Sequence, residues 1–159
     1  MRSTSRAVYL TCVAVLLAAC ATQRPAVNDG PSQVLRAFVS ALNRADIDTI
    51  TRLFAPDATA FLPLDSFPLE LVGREAIRSA LLPFFHDLRQ QGSGPEYMHL
   101  VAKDVHIQSF GAVAVVTFDA GAGSVTSRRT LVIERNSAGW HITHFHGSNI
   151  RQRTAGAGV

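Results

Sequence analysis

The sequence predicts an α+β fold, with its helices and strands grouped in blocks. Two apolar stripes recur at helical spacing: Val34, Leu35, Phe38, Val39 and Leu42, then Ile77, Leu81, Phe84, Phe85 and Leu88. From residue 98 onward, four extended segments follow one another with only tight turns between them. No strand–helix–strand alternation runs through the chain, which excludes a doubly wound parallel sheet.

The chain opens with a separate signal. "MRSTSRAVYLTCVAVLLAAC" places Arg2 and Arg6 ahead of an apolar run from Ala7 to Ala19. That is the charged region and short apolar region of a secretory leader, and the run is too short to span a bilayer comfortably. "LLAAC", Leu16 to Cys20, resembles the bacterial lipobox. The resemblance implies cleavage before Cys20, lipidation of its sulfur, and attachment by several acyl chains, which gives a stable anchor. Ala21 in the second mature position resembles the pattern of outer-membrane lipoproteins facing the periplasm. The expected division is a lipoprotein signal peptide over 1–19, a lipidated tether over 20–31, a domain over 32–152 and a fraying tail over 153–159.

Removing the leader changes the bulk numbers. Cys12 leaves and Cys20 carries lipid, so the domain keeps no thiol for catalysis, a disulfide or a metal. The whole chain has 15 basic and 12 acidic side chains. Without Arg2 and Arg6, 13 basic side chains face 12 acidic ones. The precursor's pI of 9.4 therefore gives no support to nucleic-acid binding. The 47% apolar and 17% charged composition describes a globular chain.

The elements follow in order. "ATQRPAVNDGP", Ala21 to Pro31, is polar and carries Pro and Gly, as a tether should. Ser32 is a candidate N-cap for a helix to about Arg44. Asp46 to Phe54 reads as a short second helix and "APDATAFLPL" as a strand. A turn over Asp65 to Pro68 leads to a brief strand in "LELV". Arg74 to Gln91 is the longest helical stretch, and Pro83 within it predicts a kink or split near Ser79 to Leu82. After the break at "GSGP", strands are expected over 98–110, 112–122, 126–135 and 140–150. Gly111, "AGAGS" and "NSAG" mark the reversals of an antiparallel meander.

Three stretches then carry a family resemblance. "FVSALNRADIDTITRLFAPDATAF", "LVGREAIRSALLPFF" and "TLVIERNSAGWHITHFHGSNI" resemble the opening helices, the glycine-led third helix and the terminal hairpin of the nuclear transport factor 2-like superfamily, and within it the SnoaL-like group. The resemblance covers about Pro31 to Gln152. It implies a cystatin-like α+β roll, with a curved antiparallel sheet wrapped around helices to form a conical pocket, and a homodimer packed through the sheet. Because this fold hosts isomerases, cyclases, dehydratases and domains without chemistry, function must come from the site.

"GWHITHFHGSN", Gly139 to Asn149, is the stretch richest in chemical groups. Regular alternation along a strand would put Trp140, Ile142, His144, His146 and Ser148 on one face, expected to be the concave one. His141 would then lie outside. Three roles compete for His144 and His146: metal ligands, acid–base catalysts, or side chains that only satisfy neighbouring polar groups. A metal would need further ligands from His99, His106, Asp57 or Asp119, whose spacing carries no signature. Acid–base chemistry would need an orienting carboxylate from Asp57, Asp119 or Glu134. The candidate catalytic set is His144, His146 and Asp57, although Asp57 in "APDA" also reads as a turn residue. Phe61, Phe84, Phe85, Phe118 and Trp140 suit core and pocket wall. The expected ligand set is Trp140, His144, His146, Ser148, Phe61 and Phe118. Arg128 and Arg129 point opposite ways, and one could enter the pocket toward an anion, although a solvated strand residue is the simpler reading. No phosphate loop, nucleophile elbow or dinucleotide fingerprint appears, so no cofactor or metal is expected.

These features lead to an envelope-anchored lipoprotein binding a small, largely apolar molecule. The alternatives are a cofactor-free isomerase, cyclase or dehydratase-type enzyme using His144 and His146, and an envelope protein-interaction module.

Overall fold

The computed structural model describes residues 30–64, 69–92, 94–122 and 125–150. The leader, the Cys20 tether and the tail lie outside them. Helix α1, Pro31–Asn43, starts with Gly30 as N-cap and Pro31 in the first turn, where a missing N–H costs nothing. Its apolar stripe buries Val34, Leu35, Phe38 and Ala41. Helix α2, Ile47–Leu53, is capped by Asp46, whose side chain accepts from Thr49 N at 2.9 Å. That bond holds the Asp46 carboxyl below its usual pKa.

Strand β1, Phe54–Phe61, follows α2 directly, and Leu71–Val72 forms the short β2. Helix α3, Arg74–Gln91, buries Ile77, Ala80, Leu81 and Phe85. It runs through Pro83 as one helix, without the split that the sequence allowed. Pro83 and Ser79 are both exposed, so water can take the carbonyl that the proline leaves unbonded. At its start, Gly73 N donates to Ala58 O at 2.8 Å and Arg74 Nε to Phe54 O at 2.7 Å. These bonds pin α3 to β1 where the β1 register is interrupted.

Strands β3 (Val101–Phe110), β4 (Val113–Ala122), β5 (Val125–Asn136) and β6 (Gly139–Ile150) form the expected meander. The six-stranded sheet has the order β2-β1-β6-β5-β4-β3, with β1 parallel to β6 and the other pairs antiparallel. Gly111 and Gly139 have positive φ at their reversals, a backbone that glycine adopts without penalty. The helices cover the face carrying Ala114, Val116, Phe118, Ala120, Leu131 and Ile133. Phe38 joins α1 to the sheet, packing against Phe54 at 6.3 Å and Phe145 at 5.3 Å between ring centroids.

One polar side chain fixes how the helices meet the meander. Asn43, 8% exposed, ends α1. Its Nδ2 donates to Leu100 O at 3.0 Å, and its Oδ1 accepts from Leu100 N at 2.8 Å. Its own carbonyl accepts from Tyr97 N and Met98 N. The amide thus replaces the ladder partners of a segment just ahead of β3. Asn43→Ala should strand both Leu100 groups and lower stability by roughly 2–4 kcal/mol, read as a fall in the urea midpoint with an unchanged m-value. Asn43→Asp keeps only the acceptor and should also destabilise.

Candidate functional site: an apolar cone with one cation

Strand β6 does not alternate regularly. Val132 pairs with His144, yet the next β5 residue, Ile133, pairs with Ile142, so Thr143 is an extra residue without a partner. Its Oγ1 donates to Val132 O at 3.3 Å. This is a β-bulge, and it exchanges the two faces for the rest of the strand. Ile142 and Phe145 are both buried although three residues apart, at 0% and 3% exposure.

The bulge corrects the expected site. Phe145, Gly147 and Asn149 turn to the helix-covered face, and His144, His146 and Ser148 turn to the outer one. His144 Nδ1 shares a 2.7 Å hydrogen bond with Thr59 Oγ1 on β1. The Phe61 ring packs beside His144 and His146 at 6.1 and 5.7 Å. Phe61 therefore belongs to the outer face as well. Trp140 stays inward and half-buried, with the Arg135 guanidinium 5.7 Å from its ring. It sits nine residues before Asn149, roughly 30 Å along the strand. Phe118 is a core residue of β4, paired with Arg129 in register.

The carboxylates do not converge on the histidines. Asp57 is exposed in the interrupted part of β1, Glu134 is exposed, and Asp119 lies on the outer face opposite Arg128. His99 is exposed, 3.8 Å from Glu96. Among the described residues no three His, Cys, Asp or Glu side chains are grouped as a metal would require.

A cavity of about 210 Å³ opens between the helices and the inner face. Phe38 and Leu42 of α1, Ile50 of α2, and Leu81 and Phe84 of α3 form one wall. Phe84 is thus the one expected wall aromatic that reaches it. Phe54, Leu62 to Leu64, Met98, Leu100, Ala120 and Phe145 complete the apolar lining. Its polar groups come from Ser127, Arg129 and Asn149, side by side at one end of β5 and β6. Ser127 Oγ donates to Ser148 O at 2.7 Å, and Asn149 Nδ2 to Pro63 O at 3.1 Å.

Arg129 was not separable from Arg128 in the sequence without the strand's facing. Here Arg128 is exposed and Arg129 is directed inward. Its guanidinium lies 5.7 Å from the Phe145 ring centroid and opposite Gly147. A Cβ at 147 would overlap the guanidinium and approach Pro63 Cδ to 2.9 Å. Burial lowers the Arg129 pKa to about 10, because desolvation disfavours the charged form. Keeping it charged at neutral pH costs on the order of 3 kcal/mol, and the Phe145 ring returns about 1–2.

Two consequences can be measured. Arg129→Met should stabilise the unliganded protein by about 1–2 kcal/mol, a melting increase of roughly 3–8 °C. The folded pKa lies below the unfolded one, so the penalty is complete below about pH 10, begins to fall as pH rises through that value, and vanishes only above the unfolded pKa. The advantage of the variant over wild type should therefore shrink between pH 9 and 11 in parallel urea titrations.

Comparison with known proteins places this architecture. The chain resembles a proposed dehydratase of the NTF2-like family from Streptomyces avermitilis, with 20% identity, a TM-score of 0.62, and 76% of this chain and 93% of that one covered. It resembles a proposed ketosteroid isomerase from Parabacteroides distasonis at 20% identity and TM-score 0.63, covering 80% and 94%. A CaMKII hub from S. rosetta matches at 25% identity and TM-score 0.58, covering 76% and 98%. These likenesses establish a shared fold. The SnoaL-like domain pattern matches residues 32–152, the span that holds every helix and strand of the cone but the first residue of α1, and the chain belongs to the SnoaL-like family.

Proposed function

We propose that the protein binds a small, largely apolar molecule in the cone. The carrying observation is the cavity itself: about 210 Å³, walled by aliphatic and aromatic side chains with its polar groups gathered at one end. A dry cavity of roughly 150 Å³ accepts benzene, so this one suits a single ring with a short arm or a chain of about six carbons. The neighbours described as a dehydratase and a ketosteroid isomerase keep catalysis open as a second reading. Binding is favoured because, among the described residues, neither an imidazole nor a carboxylate lines the wall, and proton transfer needs such a group at the substrate.

We further propose export and lipid anchoring at Cys20, facing the periplasm, on the basis of "LLAAC" and the basic, apolar leader. Homodimerisation through the sheet is part of the same reading. Its support is the edge strand β3, which exposes Val101, Val105, Ile107 and Phe110, the last at 66%; unpaired apolar edges invite a partner.

Native mass spectrometry of protein taken from its own host should show a dimer mass with a retained molecule. Ala120→Leu, which fills the cavity, should weaken binding of that molecule more than tenfold. His144→Asn and His146→Asn, on the outer face, should leave it unchanged, and loss of binding in either would return the histidines to the site. Metabolic labelling with an alkyne fatty acid should mark the wild type and not Cys20→Ser.

A further inference from the structure

We propose that the ligand is a small monocarboxylate, its hydrocarbon body filling the cone and its oxygens meeting the Arg129 guanidinium. The inference rests on the ligand-binding reading above and assigns the ligand's charged end.

The cavity's polar end has one cation and, among the described residues, no anion. No hydrogen bond or ion pair to a described residue holds the Arg129 guanidinium, although its planar fork of N–H donors matches a carboxylate's two oxygens. The hydroxyl of Ser127 is engaged by Ser148 O, and Asn149 has given one amide N–H to Pro63 O and keeps a second. The donors left over at this end thus come chiefly from one positive group, which suits a singly charged oxyanion better than a phosphate dianion.

The guanidinium's place is also built. Gly147 leaves room for it where any Cβ would collide, and the Phe145 face lies beside it. A strand position that only needed solubility would not point a charge into an apolar cone. Burial already costs this group its usual basicity, and such a cost is retained where function uses the charge. An arriving carboxylate supplies the missing partner, and the apolar wall strengthens the pair by excluding water.

The test is isothermal titration calorimetry of the full-length protein with two near-isosteric pairs, phenylacetate against phenylacetamide and hexanoate against hexanamide. In wild type each carboxylate should bind at least tenfold more tightly than its amide. Arg129→Met should erase that preference while still binding the amides, and Arg129→Lys should keep part of it. The preference should hold from pH 6 to 9 and fade above about pH 10. Equal binding of acid and amide, or a preference that survives in Arg129→Met, overturns the carboxylate assignment and leaves the apolar-cavity reading standing. Binding of none of the four probes overturns both.

Discussion

One unpaired residue in β6 decides what the cone contains. Without the bulge at Thr143, His144, His146 and Ser148 would line the interior and Phe145 would face outward. Burying a phenylalanine is worth roughly 2–3 kcal/mol, whereas an imidazole taken from water must find a partner for each polar nitrogen or pay about as much. The bulge lets the strand bury Ile142 and Phe145 together and leaves His144 on the outside, bonded to Thr59. The inward facing of Phe145, Gly147 and Asn149, beside Arg129 and Ser127, follows from that choice. Because β6 lies between β1 and β5, the exchange of faces also sets which β1 residues meet the outer histidines.

The second constraint is the Asn43 clamp. An apolar contact between α1 and the segment before β3 could slide, but an amide bonded to both the N–H and the C=O of Leu100 cannot. It sets Met98 and Leu100 against Phe38 and Leu42, so two sides of the cavity share one attachment. The clamp joins residues 57 apart in sequence, and this is a contact that the sequence could not announce. A polar residue at the end of an amphipathic helix reads as a C-terminal residue and nothing more.

Local patterns told more. The stripes of α1 and α3, the Asp46 start of α2, and the reversals at Gly111 and Gly139 were all readable, because each depends on neighbours within a few residues. Pro83 left α3 unsplit, since its effect depends on which side of the helix faces water. The site misled for a deeper reason. Facing along a strand is read by counting in twos, and a bulge moves that count without leaving a distinctive residue behind; threonine is common in any strand. Arg129 stayed hidden for another reason: its pair with Arg128 offers one inward and one outward charge but no sign of which. The hint available was "HG" at 146–147: a glycine in the middle of a strand signals a close approach, and here what approaches is the arginine.

That glycine ties the position of the inward charge to the backbone beside it. The cone's walls are helices and strands whose shifts would disturb the whole core, and the atoms nearest to a side chain at position 147 belong to the end of a flexible side chain, a proline edge and a ring. A single methyl there would displace the guanidinium and crowd Pro63 Cδ at 2.9 Å, so both would have to give way. Residue 147 therefore limits how close to β6 the side chain at 129 can lie, and Pro63 shares that limit.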